Sequence, residues 1–206
     1  MNLEKLFKIQ KELDERILNR FPDLRNEDLL PKKILALQVE LGELAQNWRG
    51  FKFWSEDQSP RNRDIPCHAC KGKAVFFEDG SNQPCLYCSG SGVQEKNPLL
   101  EEFVDVFHFL LSIGLEIGSD VAFEEYTLNE IWEEGTKYTD ERYTLTEVFY
   151  LLIDDVMWKM ESCGYWLDFV MEFTDLGKRL GLTMEQVIDA YLDKNKTNHT
   201  RQEQNY

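Results

Sequence analysis

Two pairs of acidic residues on predicted helices could form a site for divalent cations. Glu40 and Glu43 lie three residues apart in one predicted helix, and Glu102 and Asp105 have the same spacing in another. Residues at positions i and i+3 share a helix face, so each pair presents two carboxylates to one place. If the helices face each other, the four carboxylates could bind two Mg²⁺ ions about 4 Å apart, an arrangement that serves phosphoryl chemistry.

The apolar surroundings of Asp105 support this interpretation. Its nearest neighbours in the sequence are apolar, namely Phe103, Val104, Val106 and Phe107. Such a helix is predicted to be buried on most sides. Because burying an unpaired carboxylate costs several kcal/mol, a hard cation shared with substrate phosphates would stabilise it.

Each of these residues also has a purely structural interpretation. An ExxE pair such as Glu40 and Glu43 is more often a solvated helix face than a metal site. Glu101 is interpreted as a solvent-facing or helix-start charge, and His108 as a histidine of the core. The metal hypothesis therefore depends on the combination of two acidic pairs, one of them on an apolar helix.

Four of the five cysteines form a second candidate metal site. They occur as two CxxC pairs, Cys67/Cys70 and Cys85/Cys88, with 14 residues between the pairs. The four thiolates can complete one tetrahedral Zn²⁺ site and leave no open catalytic position, so the predicted zinc is structural. The alternatives are two disulfides or oxidised thiols. The CxxCxGxG form resembles one zinc centre of the DnaJ cysteine-rich region.

The apolar periodicity predicts an all-α helical bundle as the fold class. Helices are predicted over residues 3–20, 30–50, 99–117, 123–137, 148–160, 166–180 and 187–194. Capping boxes at Thr144 and Thr183 lead into the predicted helices 148–160 and 187–194. The residues after 194 are predicted to be a polar tail. Residues 55–98 lose the helical period and contain four of the six prolines, so they are predicted to be an inserted zinc-binding module. The helical domain is then formed by residues 1–54 and 99–206.

The composition limits the classes of partner. Acidic residues outnumber basic ones 38 to 23, for a net charge of −15, which disfavours a nucleic acid polymer as partner. A small polyanion can still bind if metal ions lie between it and the protein. The sequence contains no run of 18 apolar residues and no apolar signal core at its N-terminus, so neither membrane insertion nor export is expected. We expect a cytoplasmic protein.

Four ordered blocks of the sequence resemble the dimeric all-α dUTPases, relatives of the MazG-type nucleotide pyrophosphohydrolases. The first block is Gln10-Lys-Glu-Leu-Asp14. The second is Ala36-Leu-Gln-Val-Glu40-Leu-Gly-Glu43-Leu-Ala45, followed by Trp48-Arg-Gly-Phe-Lys-Phe-Trp54. The third is Leu100-Glu-Glu-Phe-Val-Asp105-Val-Phe-His-Phe109, and the last is Tyr191-Leu-Asp-Lys-Asn195 with Asn198 and Arg201. The resemblance covers about residues 3–54 and 99–206.

This resemblance implies a homodimer that hydrolyses dUTP, and commonly dUDP, to dUMP. Two or more Mg²⁺ ions per site would be bound by the four acidic residues Glu40, Glu43, Glu102 and Asp105. Glu43 would also orient or deprotonate the attacking water.

The resemblance also implies a set of substrate-binding residues. Gln10 would recognise the uracil edge, and Trp54 would pack near the base or sugar. Lys194, Asn195 and Arg201 would reach the nucleotide and its phosphates as part of a tail that closes over the substrate. The chain departs from the family in one respect, because 58 residues separate Glu43 from Glu102, whereas the family's acidic motifs are usually closer together.

Two alternatives stay open at this point. The same chemistry could act on dCTP or on a damaged nucleotide, because few residues select the base. The chain could instead be a zinc-containing regulatory or interaction protein on a degenerate helical scaffold. The zinc could serve to stabilise the long insert. The insert could instead contact a protein partner or the other subunit.

Overall fold

The computed structural model describes residues 1–62, 65–67, 69–78, 81–94, 97–123, 125–135 and 142–204. Within these ranges the chain is predominantly helical, which confirms the predicted all-α class. The helices are α1 (Leu3–Arg20), α2 (Leu30–Trp48), α3 (Pro98–Glu116), α4 (Ser119–Ala122), α5 (Leu128–Gly135), α6 (Leu145–Lys159), α7 (Cys163–Arg179) and α8 (Met184–Glu203). A 3₁₀ helix, Pro22–Asn26, joins α1 to α2.

Helices α2 and α3 run antiparallel and pack along their length. Lys33, near the start of α2, donates to the Glu116 carboxylate at the end of α3 over 2.7 Å. Asn47, near the end of α2, donates to Glu102 near the start of α3 over 3.3 Å. The antiparallel arrangement brings the two acidic motifs to the same end of the helix pair.

Helix α3 lies at the centre of the hydrophobic core, as its apolar sequence predicts. Phe103 stacks on Phe173 of α7 with ring centroids 4.1 Å apart. The indole N–H of Trp166 donates to the Leu110 carbonyl over 2.8 Å. Gly177 permits this close packing, because a Cβ atom there would lie 2.7 Å from the Phe103 ring. The burial of α3 leaves its acidic residues at the edge of the core.

Local end signals place most helix boundaries correctly. Both predicted capping boxes are formed, one by Thr144 with Glu147 and the other by Thr183 with Gln186. The predicted helix over 123–137 is wrong at its start, because Thr127 forms the N-terminal hydrogen bonds with Glu130 and α5 begins at Leu128. Residues 136 and 137, the last two of that predicted helix, lie outside the described ranges.

The predicted polar tail is also wrong, because α8 continues to Glu203. Its second half lacks an apolar stripe, but it is held against α1 by two arginines. Arg16 pairs with Glu203 over 2.7 Å, and Arg20 donates to the Gln202 carbonyl over 3.0 Å. Tertiary contacts of this kind override weak local propensity.

Between α2 and α3 the described residues form short strands and turns, where the sequence predicts an insert. Strands β2 (Val75–Glu78) and β3 (Ser81–Pro84) form an antiparallel hairpin. Strands β1 (Ile65–Pro66) and β4 (Val93–Gln94) pair antiparallel where the chain enters and leaves the module. Four buried cysteines form a small core of their own, separate from the helical core. None of the described helices combines the length and apolar character that crossing a membrane requires.

Candidate active site

Three carboxylates from α2 and α3 converge on one place. Ligand atoms of Glu40, Glu102 and Asp105 all lie within 4.8 Å of one another. Glu43 lies on the next turn of α2, where it is exposed and outside this three-residue cluster. Its charge still acts on the cluster, since it raises the pKa values of both Glu40 and Glu102.

The cluster carries an excess of negative charge. Burial, and then the charge of Asp105, raises the pKa of Glu40 to about 7. The same two causes raise the pKa of Glu102 to about 6. Half-buried carboxylates crowded in this way favour a cation between them.

Lys194 supplies part of the missing positive charge. It projects from α8, and its ammonium group donates to Asp105 Oδ2 over 2.5 Å. Both groups are largely buried, with side chains 23% and 19% exposed. The ammonium lowers the pKa values of Glu40 and Glu102, but it does not return either to its ordinary range.

The donor set suits a hard divalent cation. All the ligand atoms are carboxylate oxygens, which Mg²⁺ prefers over nitrogen or sulfur ligands. Three acids and one lysine leave a net negative charge that a divalent ion would neutralise. The half-exposed position of the cluster leaves room for water or phosphate oxygens to complete the coordination.

A cavity of about 320 Å³ adjoins the acidic cluster, and Asp105 belongs to both. This volume lies within the range of small-molecule sites, roughly 300–1,000 Å³. Part of the wall is apolar and comes from α1, the following 3₁₀ helix, the residue before α2, and α3: Leu13, Ile17, Leu18, Leu24, Leu29 and Phe109. Such a wall suits the flat, weakly polar faces of a nucleobase.

A hydrogen-bond network fixes the polar part of the cavity wall. The buried Gln10 donates from Nε2 to Asp14 Oδ1 over 2.8 Å. Ser112 donates to the other Asp14 oxygen over 2.5 Å. The Tyr191 hydroxyl donates to Gln10 Oε1 over 3.1 Å. Because the Asp14 carboxylate can only accept, the orientation of the Gln10 amide is fixed.

His108 completes this network. Its Nδ1 lies 2.8 Å from Gln10 Oε1, and that oxygen can only accept, so Nδ1 carries the proton. Burial, together with the Lys194 charge, lowers the pKa of His108 to about 3. The ring is therefore neutral near pH 7 and offers the Nε2 lone pair. Nε2 has no hydrogen-bond partner in the described part of the chain.

His108 is predicted from the sequence to be a core residue, and Asn47 is not among the predicted site residues. His108 is indeed buried, but it also lines the cavity. Its sequence position, three residues after Asp105 on the same helix face, is the only signal that could have placed it there. Asn47 has no such signal, because its contact with Glu102 depends on how α2 and α3 pack.

The structure brings only some of the predicted substrate-binding residues to the cavity. Gln10 lines it, and Lys194 reaches its edge at Asp105. Asn195 is buried on α8 beside them. Trp54 is 65% exposed, with its ring edge-on to Phe53, and it does not line this cavity.

Arg201 is another predicted residue that lies on the surface. It is exposed near the end of α8 and is 3.5 Å from the side-chain oxygen of Asn198. Asn198, one turn earlier, does line the cavity. Helix α8 is therefore the element that carries the basic and amide side chains past the acidic cluster.

The four clustered cysteines have the arrangement of a tetrahedral metal site. Cys67 Sγ lies 3.9 Å from Cys85 Sγ, and Cys70 Sγ lies 3.8 Å from Cys88 Sγ. Ligands about 2.3 Å from a tetrahedral zinc are about 3.8 Å apart. None of the four is in a disulfide. Although burial opposes the shift, the Gly92 N–H and neighbouring thiols lower the pKa of Cys88.

Comparison with known families decides the class of the helical body. A family model described as dUTPase matches residues 2–66 and 84–206. The chain belongs to the dUTPase family. It is thus an enzyme of the dUTP diphosphatase class, a dUTPase-type nucleotide pyrophosphohydrolase, and the resemblance carried by the four blocks is confirmed. The comparison with curated proteins finds no match.

The unmatched segment of this dUTPase family member is residues 67–83. It contains Cys67, Cys70 and strand β2. The match therefore includes both sides of the neck formed by β1 and β4 and leaves out the first half of the cysteine module.

Proposed function

We propose that this dUTPase-family enzyme hydrolyses dUTP, and also dUDP, with Mg²⁺ ions bound by Glu40, Glu43, Glu102 and Asp105. The convergence of three carboxylates beside a cavity of nucleoside size supports the proposal most directly. Bound Mg²⁺ would neutralise the phosphate chain and polarise the phosphorus that is attacked. Two or more ions per site would be needed to occupy all four carboxylates.

The protein's own residues would bind and orient the substrate. The triphosphate would lie along the acidic cluster, and Lys194 would leave Asp105 to pair with a phosphate when a cation takes its place. Glu43 is exposed on the turn beside the cluster, where it can accept a proton from a water molecule that attacks the phosphate. The base would enter the cavity and contact the part of its wall that Gln10 and its hydrogen-bond network form.

A substrate panel with one matched pair of variants tests this proposal. With Mg²⁺ present, we expect pyrophosphate release from dUTP to exceed release from dCTP. Glu43→Gln should lower kcat by about 100-fold or more, as expected for loss of a general base. Glu101→Gln, an exposed acid beside the cluster, is the control and should retain near-normal kcat.

The panel also separates the alternatives. Rapid hydrolysis of dCTP with inert dUTP would reject uracil as the preferred base but would retain the reaction. No pyrophosphate release from any nucleotide would reject the catalytic proposal and favour a regulatory protein on this scaffold.

We further propose that the cysteine module, within an insert at residues 55–98, binds one structural Zn²⁺. The sulfur distances and the absence of disulfides among the four residues support this. Metal analysis should find about one zinc per chain. Substitution of Cys67 and Cys70 by Ser should remove it, whereas Cys163→Ser, at a cysteine outside the cluster, should not.

We also propose a homodimer formed through α2 and α6, which pack side by side. Large apolar side chains are exposed along both: Leu35, Val39, Tyr150, Met157 and Trp158. A groove of about 330 Å³ lies between the two helices. Exposed apolar surface of this kind commonly marks an interface, and a second copy would cover it.

A further inference from the structure

A single residue of the insert, Arg61, joins the ends of the two helices that carry the acidic motifs. The main-chain N–H of Arg61 donates to the Asn47 carbonyl in the last turn of α2 over 2.9 Å. The Arg61 carbonyl accepts from the Leu99 N–H in the first turn of α3 over 3.0 Å. Terminal groups of this kind have no partner within their own helix. The main-chain N–H and C=O of Arg61 therefore each satisfy one terminal group, the first on α2 and the second on α3.

The segment that contains Arg61 is held in place by its own contacts. We name residues 55–62 the insert root. The Arg61 guanidinium donates to Asp57 Oδ2 over 2.5 Å. The guanidinium of Arg49, the residue directly after α2, donates to the Asp57 carbonyl over 2.7 Å. The insert root is thus fixed to the helical body rather than to the cysteine module.

Asn47 connects the insert root to the acidic cluster. While its carbonyl accepts from Arg61, its side-chain amide donates to Glu102 Oε1 over 3.3 Å. The same amide nitrogen donates to the Glu43 carbonyl, also over 3.3 Å. These bonds restrict rotation of the Glu102 carboxylate and leave its second oxygen available to a cation.

We propose that Asn47 is a positioning residue for the cation ligand Glu102 and that the insert root fixes Asn47 in turn. The insert then contributes to the cation affinity of the active site through main-chain contacts, in addition to binding zinc. This inference rests on the proposed function only in requiring that the acidic cluster binds a divalent cation. Residues that orient metal ligands by hydrogen bonds typically change metal affinity by about 10- to 100-fold when they are replaced.

Cation binding without nucleotide provides the test. Mn²⁺ would be titrated into the full-length, zinc-loaded protein and followed by electron paramagnetic resonance. Asn47→Leu keeps the branched shape of the side chain but removes the amide donor, and we expect its dissociation constant for Mn²⁺ to rise about tenfold. Gln46→Leu makes the same chemical change at an exposed neighbouring position and should bind Mn²⁺ like the unmodified protein.

A second variant tests the insert root itself. Asp57→Ala removes the carboxylate that pairs with Arg61 at an exposed position, where loss of folding is not expected. We expect the Mn²⁺ dissociation constant to rise about two- to threefold, which is the effect of losing an exposed ion pair. In steady-state assays both variants should raise the KM for Mg²⁺ more than they lower kcat at saturating Mg²⁺.

The outcomes are distinguishable. If Asn47→Leu remains folded by circular dichroism and binds Mn²⁺ like the unmodified protein, the positioning role is rejected while the catalytic proposal stands. If Asn47→Leu does not fold, an unchanged Asp57→Ala variant rejects the role of the insert root. If the unmodified protein binds no Mn²⁺, both this inference and the proposed cation site are wrong.

Discussion

At the scale of single residues, the acidic cluster creates electrostatic strain that a cation would relieve. Glu40 and Glu102 have raised pKa values of about 7 and about 6, first because of burial and then because of Asp105. Without a cation, the folded protein therefore binds more protons here than the unfolded chain does. This excess of bound protons is present between pH 4.5, which is their ordinary pKa, and the raised pKa values.

The raised pKa values predict a pH-dependent stability. In magnesium-free buffer the contribution of these two carboxyls to the free energy of unfolding should fall as the pH rises from about 5 to about 7, because the unfolded chain releases these protons at lower pH. His108, whose pKa is lowered from 6.5 to about 3, contributes in the opposite sense below about pH 6.5. Glu40→Gln should flatten this dependence, and added Mg²⁺ should oppose it at the higher pH. Thermal unfolding followed by circular dichroism measures the effect.

The outcome that contradicts this prediction is a Glu40→Gln variant with the same pH dependence as the unmodified protein. Asp14, with a pKa raised by burial, and His108, with a pKa lowered by burial, titrate in both proteins, so the difference between the two pH profiles isolates Glu40. A complete absence of change on substituting Glu40 would show that the cluster is not under electrostatic strain.

At the scale of elements, the position of α8 decides which basic groups reach the acidic cluster. The helix carries Lys194 to Asp105, and its far end is held by Arg16 and Arg20 of α1. The proposed substrate-binding residues of α8 therefore belong to a regular helix rather than to a closing tail. Any movement of Lys194 toward phosphate must begin at its side chain.

Sequence reasoning succeeded where the signal is local. Capping boxes at Thr144 and Thr183 and the apolar burial of α3 follow from neighbouring residue types. It failed for the second half of α8, because ion pairs to α1 stabilise residues that carry no helical apolar pattern. The acidic motifs are recognisable in the sequence, whereas Asn47 is not. Its contact with Glu102 depends on how α2 and α3 pack, which neither segment determines alone.

Loss of zinc should affect the module more than the catalytic body. The cysteine core is separate from the helical core, whereas the insert root bonds to α2 and α3 independently of the cysteines. Chelation of zinc in protein supplied with Mg²⁺ should therefore speed hydrogen exchange within residues 67–92 and leave part of the dUTP hydrolysis. Mass-spectrometric exchange and a pyrophosphate assay on one sample would measure both. Complete loss of hydrolysis would show that the module is integral to the active site.

At the scale of the whole molecule, α2 has two roles. One face carries Glu40 to the acidic cluster, and another edge exposes Leu35 and Val39 beside α6. Trp158 of α6 is 73% exposed, a large apolar surface to leave in water. A second copy at this face would lie directly behind the helix that carries Glu40.

Introducing charge at this face should prevent dimer formation. Trp158→Glu would place a carboxylate in the proposed interface, where burying it without a partner costs several kcal/mol. Light scattering after size-exclusion chromatography should show a dimer for the unmodified protein and a monomer for the variant. Val121→Glu, at another exposed apolar position, is the control. A Trp158→Glu variant that stays dimeric would show that the interface lies elsewhere.

The neck of the insert has a consequence for how such a protein can arise. Ile65 pairs with Gln94 and Pro66 with Val93, and directly opposed residues in an antiparallel ladder have Cα atoms about 4.5–5.5 Å apart. A gene can therefore acquire or lose the intervening segment at one site without altering the separation of the flanking helices. The same joint offers protein engineers a graft point at which another polypeptide can replace the cysteine module while the catalytic body stays intact.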